Sequence, residues 1–371
     1  MRGAVFRRLA GANFEETLRQ FAIPQKHPAN LPWKAVDEVL TEPVKYYLEL
    51  PGKRVRPALL QLAANLLQLS PPALPWLKCY VEMLHNASLV LDDIQDGSEL
   101  RRGRPCAHIL HGLDRAATAS LAALALDCQE NLLARVPGLT PSTELGLRRV
   151  HAHTLRQLLV GVALDVRWHG HTTETPPPSL ADYFAMVRMK TAALMTGGLN
   201  MLGLWAEKGD PRREAIGRAF ECYAQAFQVH DDLLNIEEGP YQDLKGFGED
   251  VREGKLSYVV VRMSNEPVRS AECSRLLGIL DAPHKGEAEV AEAMRILRSS
   301  PYVAQGRRLC AALAEESRQL LRQAFPDEGE ALADWEEVLE TSFGAAHPPP
   351  TAGEPGSFPR KEGGSGSVSA L

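Results

Sequence analysis

No two cysteines stand in a C-x-x-C pair: the six (Cys79, Cys106, Cys128, Cys222, Cys273, Cys310) are scattered. That pattern reads as free thiols of a reducing compartment and excludes a disulfide frame or a cysteine zinc site. No apolar run approaches the roughly 20 residues that span a bilayer, so no transmembrane segment is expected. Positive charge is not in excess. The net charge of −6 excludes a nucleic-acid binder that relies on bulk charge, though not local basic clusters. Strand signals are weak, and no repeat of fixed period is present.

What remains is long apolar stretches rich in Leu and Ala, within 371 residues that are 44% hydrophobic. ALLQLAANLLQL, AATASLAALALDCQENLLARV, LRRVHAHTLRQLLVGVALDV and RAFECYAQAFQVHDDLLNI are examples. Leu and Ala favour helix, and such lengths exceed ordinary strands. Breaks fall at SPPALP, VPGLTPST, TTETPPPS, KGDP and NEP. Several helices are apolar nearly all round, which implies central positions. The expectation is an all-α fold: one large bundle of about a dozen helices around a central cavity, residues 14–345. Residues 1–13 carry Arg2, Arg7 and Arg8 and no acid. Two readings stay open for them, a flexible basic terminus (favoured) or a short targeting segment for a mitochondrion or other organelle; the first goes with a cytoplasmic protein. Residues 346–371 are rich in Pro, Gly and Ser and read as disordered.

The sharpest feature is LHNASLVLDDIQDGSELRRGRP. Asp92 and Asp96 share one helix face, with Asp93 beside them. The residues before them are apolar. Carboxylates so placed repel one another and lose hydration, and a hard divalent cation solves both problems. A second cluster, Asp231, Asp232 and Asn235, repeats the spacing in AFQVHDDLLNIEE. Taken alone, the first cluster reads as an acidic helix end facing water. Together they suit two facing helices that hold Mg²⁺ around one diphosphate.

Basic residues accompany the acids. Arg101 and Arg102 follow the first cluster directly, and Arg forks match phosphate oxygens. Lys53 and Arg56 precede a helix in PGKRVRP, as a phosphate site or a solvated loop. Lys190, next to Thr191, either contacts a phosphate or reaches the surface. Lys245 and Lys255 follow the second cluster in DLKGFGEDVREGK; taken alone they read as surface lysines.

In order, GKRVRP, MLHNASLVLDDIQDGSELRRGRPCAH, MKTAALM, FQVHDDLLN and KGFGEDVREGKLSY resemble the trans-isoprenyl diphosphate synthases, most closely those of eukaryotes that make geranylgeranyl diphosphate. The resemblance covers about residues 30–345. It implies an isoprenoid synthase fold, a homodimer, and a Mg²⁺-dependent prenyltransferase with three ions per active site. Its substrates would be isopentenyl diphosphate and an allylic diphosphate. By resemblance, Asp92, Asp93 and Asp96, with Asp231, Asp232 and Asn235, serve the metal. Arg101, Lys190, Lys245 and Lys255 grip the allylic diphosphate. Lys53, Arg56, His85 and Arg102 hold isopentenyl diphosphate, and Thr191 and Gln228 face the developing cation.

One departure stands out. The family commonly has Gly-Gln in the helix of Asp165, where this chain has Val162 in VGVALD. A polar contact to the cation region is therefore missing. Product length is read from Ala87 and Ser88, just before Asp92. Neither is an aromatic plug, so the tail can extend until Leu84 or Tyr80 stops it, which favours a C20 product. Alternatives are a farnesyl or geranylfarnesyl diphosphate synthase, a class I terpene synthase, and a non-catalytic regulatory subunit.

Overall fold

The structure, a computed structural model, describes residues 3–22, 32–169, 176–207, 209–237 and 247–344. The Leu- and Ala-rich stretches become helices. In chain order they are α1 (Ala4–Ala10), α2 (Phe14–Phe21), α3 (Trp33–Leu40), α4 (Glu42–Glu49), α5 (Val55–Leu66), α6 (Leu74–Asp96), α7 (Ala107–His111), α8 (Leu113–Ala122), α9 (Cys128–Arg135) and α10 (Pro141–Trp168). There follow α11 (Leu180–Val187), α12 (Ala193–Leu202), α13 (Pro211–Ile236), α14 (Glu249–Glu253), α15 (Tyr258–Ser264), α16 (Ala271–Asp281), α17 (Glu287–Ser299), α18 (Pro301–Ala324) and α19 (Gly329–Phe343). π-helical turns at Ala123–Asp127 and Arg188–Ala192 join α8 to α9 and α11 to α12. Such bulged turns often mark functional positions.

Helix α6 is the axis of the bundle. It buries Leu77, Tyr80, Leu84, Ala87 and Val90, and α2, α4, α5, α8 and α12 surround it. A helix apolar on so many sides gains most from a central place. Helix α13 packs along α18. Phe220, Tyr223, Trp335 and Phe343 close that end with tilted ring contacts. No described helix is long and apolar enough to cross a membrane.

The all-α expectation holds, with more helices among the described residues than about a dozen and one short hairpin. That hairpin pairs β1 (Leu100–Arg101) with β2 (Arg104–Pro105). The N-terminal expectation needs correction. Residues 4–10 are not a flexible terminus but helix α1, which buries Val5, Phe6, Leu9 and Ala10. These apolar residues form one stripe at helical spacing, and α5 covers it. Lys78 Nζ also donates to the Ala10 carbonyl at 2.8 Å. Arg7 and Arg8 point outward, and Arg8 pairs with Asp334 at 2.8 Å; Arg2 lies outside the described residues. The tail, residues 346–371, lies outside the described residues.

Candidate active site

Asp92 and Asp96 fall on one face near the end of α6, as their spacing requires. Each meets a lysine. Lys190 Nζ lies 2.6 Å from Asp92 Oδ1 and 2.6 Å from Asp165 Oδ2. Lys255 Nζ lies 2.7 Å from Asp96 Oδ2 and 2.5 Å from Glu253 Oε2. The His169 ring sits between the two pairs, 3.3 Å from Asp165 and 3.8 Å from Asp96. Asp165 and His169 are one turn apart on α10 and its C-cap, so they share a face. Asp165, His169 and Glu253 were not singled out as site residues from the sequence. The i, i+4 spacing of Asp165 and His169 was the available signal.

Asp92, Asp96, Asp165 and Glu253 bring their carboxylates against Lys190 and Lys255. Hard oxygen donors of this kind are what magnesium takes. Burial alone would raise Asp92, but Lys190, Lys255 and Arg101 hold it down at about 2. Burial raises Asp96, with Lys255 only partly opposing it. Asp165 is held below the usual range, as Lys190 and His169 outweigh its burial. Both lysines are raised, since their carboxylates outweigh desolvation.

The local backbone explains the aim of the lysines. Lys190 and Thr191 sit in the π-helical turn of residues 188–192, and Gly161 of α10 lies against it. A Cβ at Gly161 would come within 2.5 Å of the Lys190 backbone nitrogen, so only glycine allows this approach. Val162 beside it is buried and offers no polar side-chain atom. Lys255 follows Gly254, whose φ of 77° ends α14 in a left-handed turn.

Asp93 departs from the metal role expected of it. It is fully buried on the far side of α6, where it accepts the Tyr47 hydroxyl and the Arg101 guanidinium. One residue along a helix turns the side chain by about 100°, away from Asp92. Asp93 therefore fixes Arg101 and does not face the Asp92–Asp96 pair. Asp232 behaves likewise. It accepts Tyr183 Oη at 2.7 Å, the Tyr258 N–H at 2.7 Å and Gln228 Nε2 at 3.0 Å. Burial pushes it up to about 6 despite these donors. Half-buried Asp231 turns another way.

The two acidic helices meet through the π turn. Lys190 grips Asp92 of α6, while the next residue, Thr191, donates to Gln228 Oε1 of α13 at 3.1 Å. Gln228 lies one turn before Asp231 on the same face. Asn235 Nδ2 donates to the Asp231 carbonyl at 3.2 Å, and Asn235 lines a small cavity with Lys255 and Asp250.

A second group forms around His85. Burial first, then Arg56, Arg102 and Arg101, press its pKa well below the ordinary value, so the ring is neutral. Arg56 has a buried Nε with no hydrogen-bond partner, a cationic donor ready for an anion. Arg102 stands at the hairpin tip, where φ is 56° at Arg102 and 75° at Gly103, as a type I′ turn requires. Its Nη1 donates to the Leu50 carbonyl at 3.3 Å. Lys53 is exposed nearby. Lys245 lies outside the described residues.

The two length residues separate. Ala87 is fully enclosed, and its carbonyl accepts Ser120 Oγ of α8 at 2.8 Å. Ser88 is half-buried, one turn below Asp92 on the same face. Deeper on α6, Tyr80 Oη is 2.8 Å from His151 Nδ1.

The contrast between Asp93 and Asp96 is testable. Asp93→Ala strands the buried Arg101 guanidinium, so urea titration should report a loss of about 3–5 kcal/mol. Asp96→Ala removes one carboxylate and leaves Lys255 its partner Glu253. It should leave the urea midpoint near wild type and lower turnover on the order of 100- to 1,000-fold. Equal midpoints for the two variants would overturn this division of roles.

Comparison with known proteins agrees with the geometry. The profile of the polyprenyl synthetase family matches residues 37–297. A geranylgeranyl pyrophosphate synthase of Penicillium paxilli is 31% identical over 290 residues, 77% of this chain and 72% of that protein. The fold is similar to that of a geranylgeranyl pyrophosphate synthetase from Pyrococcus horikoshii, with TM-score 0.75, 24% identity and coverage of 91% and 98% of the two chains. It is also similar to a Caulobacter crescentus polyprenyl synthase complexed with calcium and isoprenyl diphosphate, with TM-score 0.69, 24% identity and coverage of 92% and 97%. With two acid-bearing helices joined across Lys190 and Thr191 and the family profile spanning most of the bundle, the chain belongs to the polyprenyl synthetase family and is a trans-prenyltransferase of isoprenoid biosynthesis.

Proposed function

We propose that this chain condenses isopentenyl diphosphate with farnesyl diphosphate to give geranylgeranyl diphosphate. One observation carries the reading: a carboxylate network around Lys190 and Lys255 is accompanied by a second group of Arg56, Arg102 and neutral His85. Two diphosphates need two such places. A terpene cyclase has no use for the second, and a regulatory subunit has no use for either. The names of relatives, including the one from Penicillium paxilli, support the C20 product.

Asp92 and Asp96 would hold magnesium from one side and Asp231 from the other, with three ions proposed. When bound, magnesium supplies Lewis-acid neutralisation of the leaving diphosphate. Lys190, Lys255 and Arg101 add fixed positive charge where that leaving group departs. Arg101 is preset by Asp93 and Lys190 by Asp165, so little reorganisation is needed. Arg56, Arg102 and His85 hold isopentenyl diphosphate so that its double bond faces the allylic carbon. Thr191 and Gln228 orient their oxygens by the bond between them. The apolar walls of α6 and α12 keep water from the cation. The proton lost after the new C–C bond forms goes to the departing diphosphate. The buried free thiols accord with a reducing compartment, and the cytoplasm is proposed.

A homodimer is proposed as well. Ile109, Leu110, Leu113, Leu121 and Leu126 are each more than half exposed along α7, α8 and the π turn after them. So much exposed apolar surface along neighbouring elements suits a second copy.

Three measurements test these statements. The chain, incubated with Mg²⁺, isopentenyl diphosphate and each of the C5, C10 and C15 primers, should yield C20 alcohol after dephosphorylation, fastest from C15. Chelation should stop it, and turnover without isopentenyl diphosphate would point to a cyclase instead. Ser88→Phe should shift the product to C15. Ala87→Phe must push α8 away and should cost about 1–3 kcal/mol of stability; an unchanged C20 product from Ser88→Phe would remove Ser88 from length control. Leu113→Glu with Leu121→Glu should halve the mass seen by light scattering, and a wild-type monomer would end the dimer proposal.

A further inference from the structure

Arg54 lies between the proposed substrate residues Lys53 and Arg56, and its own donors are taken up by protein groups. Its guanidinium is almost fully buried at 4% exposure. Nε and Nη2 donate to the Glu15 carboxylate at 2.8 and 3.0 Å. Nη1 donates to Glu82 at 2.9 Å and Nη2 to the Leu48 carbonyl at 2.6 Å. The backbone there is strained. Arg54 has φ 57° and ψ 42°, a left-handed conformation that a residue with a Cβ disfavours. Such a conformation persists only where its surroundings over-determine it. Glu82 of α6 and the Leu48 carbonyl of α4 give part of that support, and the forked pair with Glu15 is the part supplied by α2.

Glu15 belongs to α2, and α2 is itself anchored. Phe21 is fully buried, and Arg135 Nη2 donates to the Gln20 carbonyl at 2.7 Å. The preceding helix α1 is tied by Lys78 to Ala10. The N-terminal segment thus reaches Arg54 itself through the Glu15 carboxylate, while α1 packs on α5. If that pair is lost, the left-handed turn can relax. Lys53, next to it, and Arg56, two residues on, then swing.

We propose that Glu15, acting through Arg54, is a positioning residue for the isopentenyl diphosphate site. This rests on the function proposed above, because Lys53 and Arg56 are the groups it would align. The allylic site is built on Asp92, Asp96, Lys190 and Lys255, none of which touches Arg54. The effect should therefore fall on one substrate. A buried ion pair that only stabilises the fold would weaken both substrates together or neither.

The test is Glu15→Gln in the full chain. Glu15 is 52% exposed at its side chain, so the variant is expected to fold, which a melting curve checks. Its KM for isopentenyl diphosphate should rise about tenfold, with KM for the allylic primer unchanged. Glu16→Gln, on the same helix but paired with Arg19 and Gln20 at the surface, should leave both constants alone. An unmoved KM for isopentenyl diphosphate in Glu15→Gln, or a proportional rise in both KM values, overturns the inference while leaving the function intact. A wild-type chain that consumes no isopentenyl diphosphate with any primer overturns the function reading itself.

Discussion

The structure depends on keeping charge inside an apolar bundle. Two unit charges about 4 Å apart interact by roughly 4 kcal/mol at a protein-like dielectric of about 20. Asp92, Asp96 and Asp165 lie in such surroundings and would take up protons if left alone. Lys190 and Lys255 prevent this for Asp92 and Asp165. Asp96, held by one lysine and close to Asp92, remains raised. The network is thus stable enough to exist, and it gathers hard oxygen donors of the kind that divalent cations take.

Each lysine also ties together distant parts of the chain. Lys190 joins α6 to α10, and Lys255 joins the end of α6 to the segment after α14. Thr191 extends the first link to α13. The π turn makes this double reach possible, because its extra residue redirects Lys190 and Thr191 toward opposite helices. Gly161 completes the geometry by letting α10 touch the turn. Site and fold are therefore one construction, which explains why the carrying residues come from the bundle's interior helices and not from loops alone.

Much of this was legible in the sequence. Leu- and Ala-rich stretches gave the helices, and the four-residue spacing put Asp92 and Asp96 on one face. What spacing leaves open is the partner of the acid at i+1. Asp93 and Asp232 look like ligands in a written motif, yet a turn of about 100° sends each into the protein, to Tyr47 and Arg101 or to Tyr183 and Tyr258. Those partners lie 46 and 49 residues away for the two tyrosine hydroxyls, beyond any local pattern. The N-terminus was misread for the opposite reason. Its arginines drew attention, while the stripe of Val5, Phe6, Leu9 and Ala10 was there to be read as a helix face.

Val162 marks where this chain departs from the pattern it resembles, and the surroundings bear on its cost. A glutamine there would add a polar side chain near the reacting region. Here the polar group closest in chain logic is Gln228, and its orientation is fully specified. Its amide donates to Asp232 and its carbonyl accepts Thr191. With Asp232 ionised, a flipped amide would face acceptor with acceptor at the carboxylate, so the flip is disfavoured. Asp232 in turn is pinned by Tyr183 and Tyr258. A single locked amide can present its dipole to a nearby cation without reorganising, which is the property that electrostatic preorganisation needs. In the function proposed above, the polar contact to the cation would thus fall on the chain of Thr191, Gln228 and Asp232.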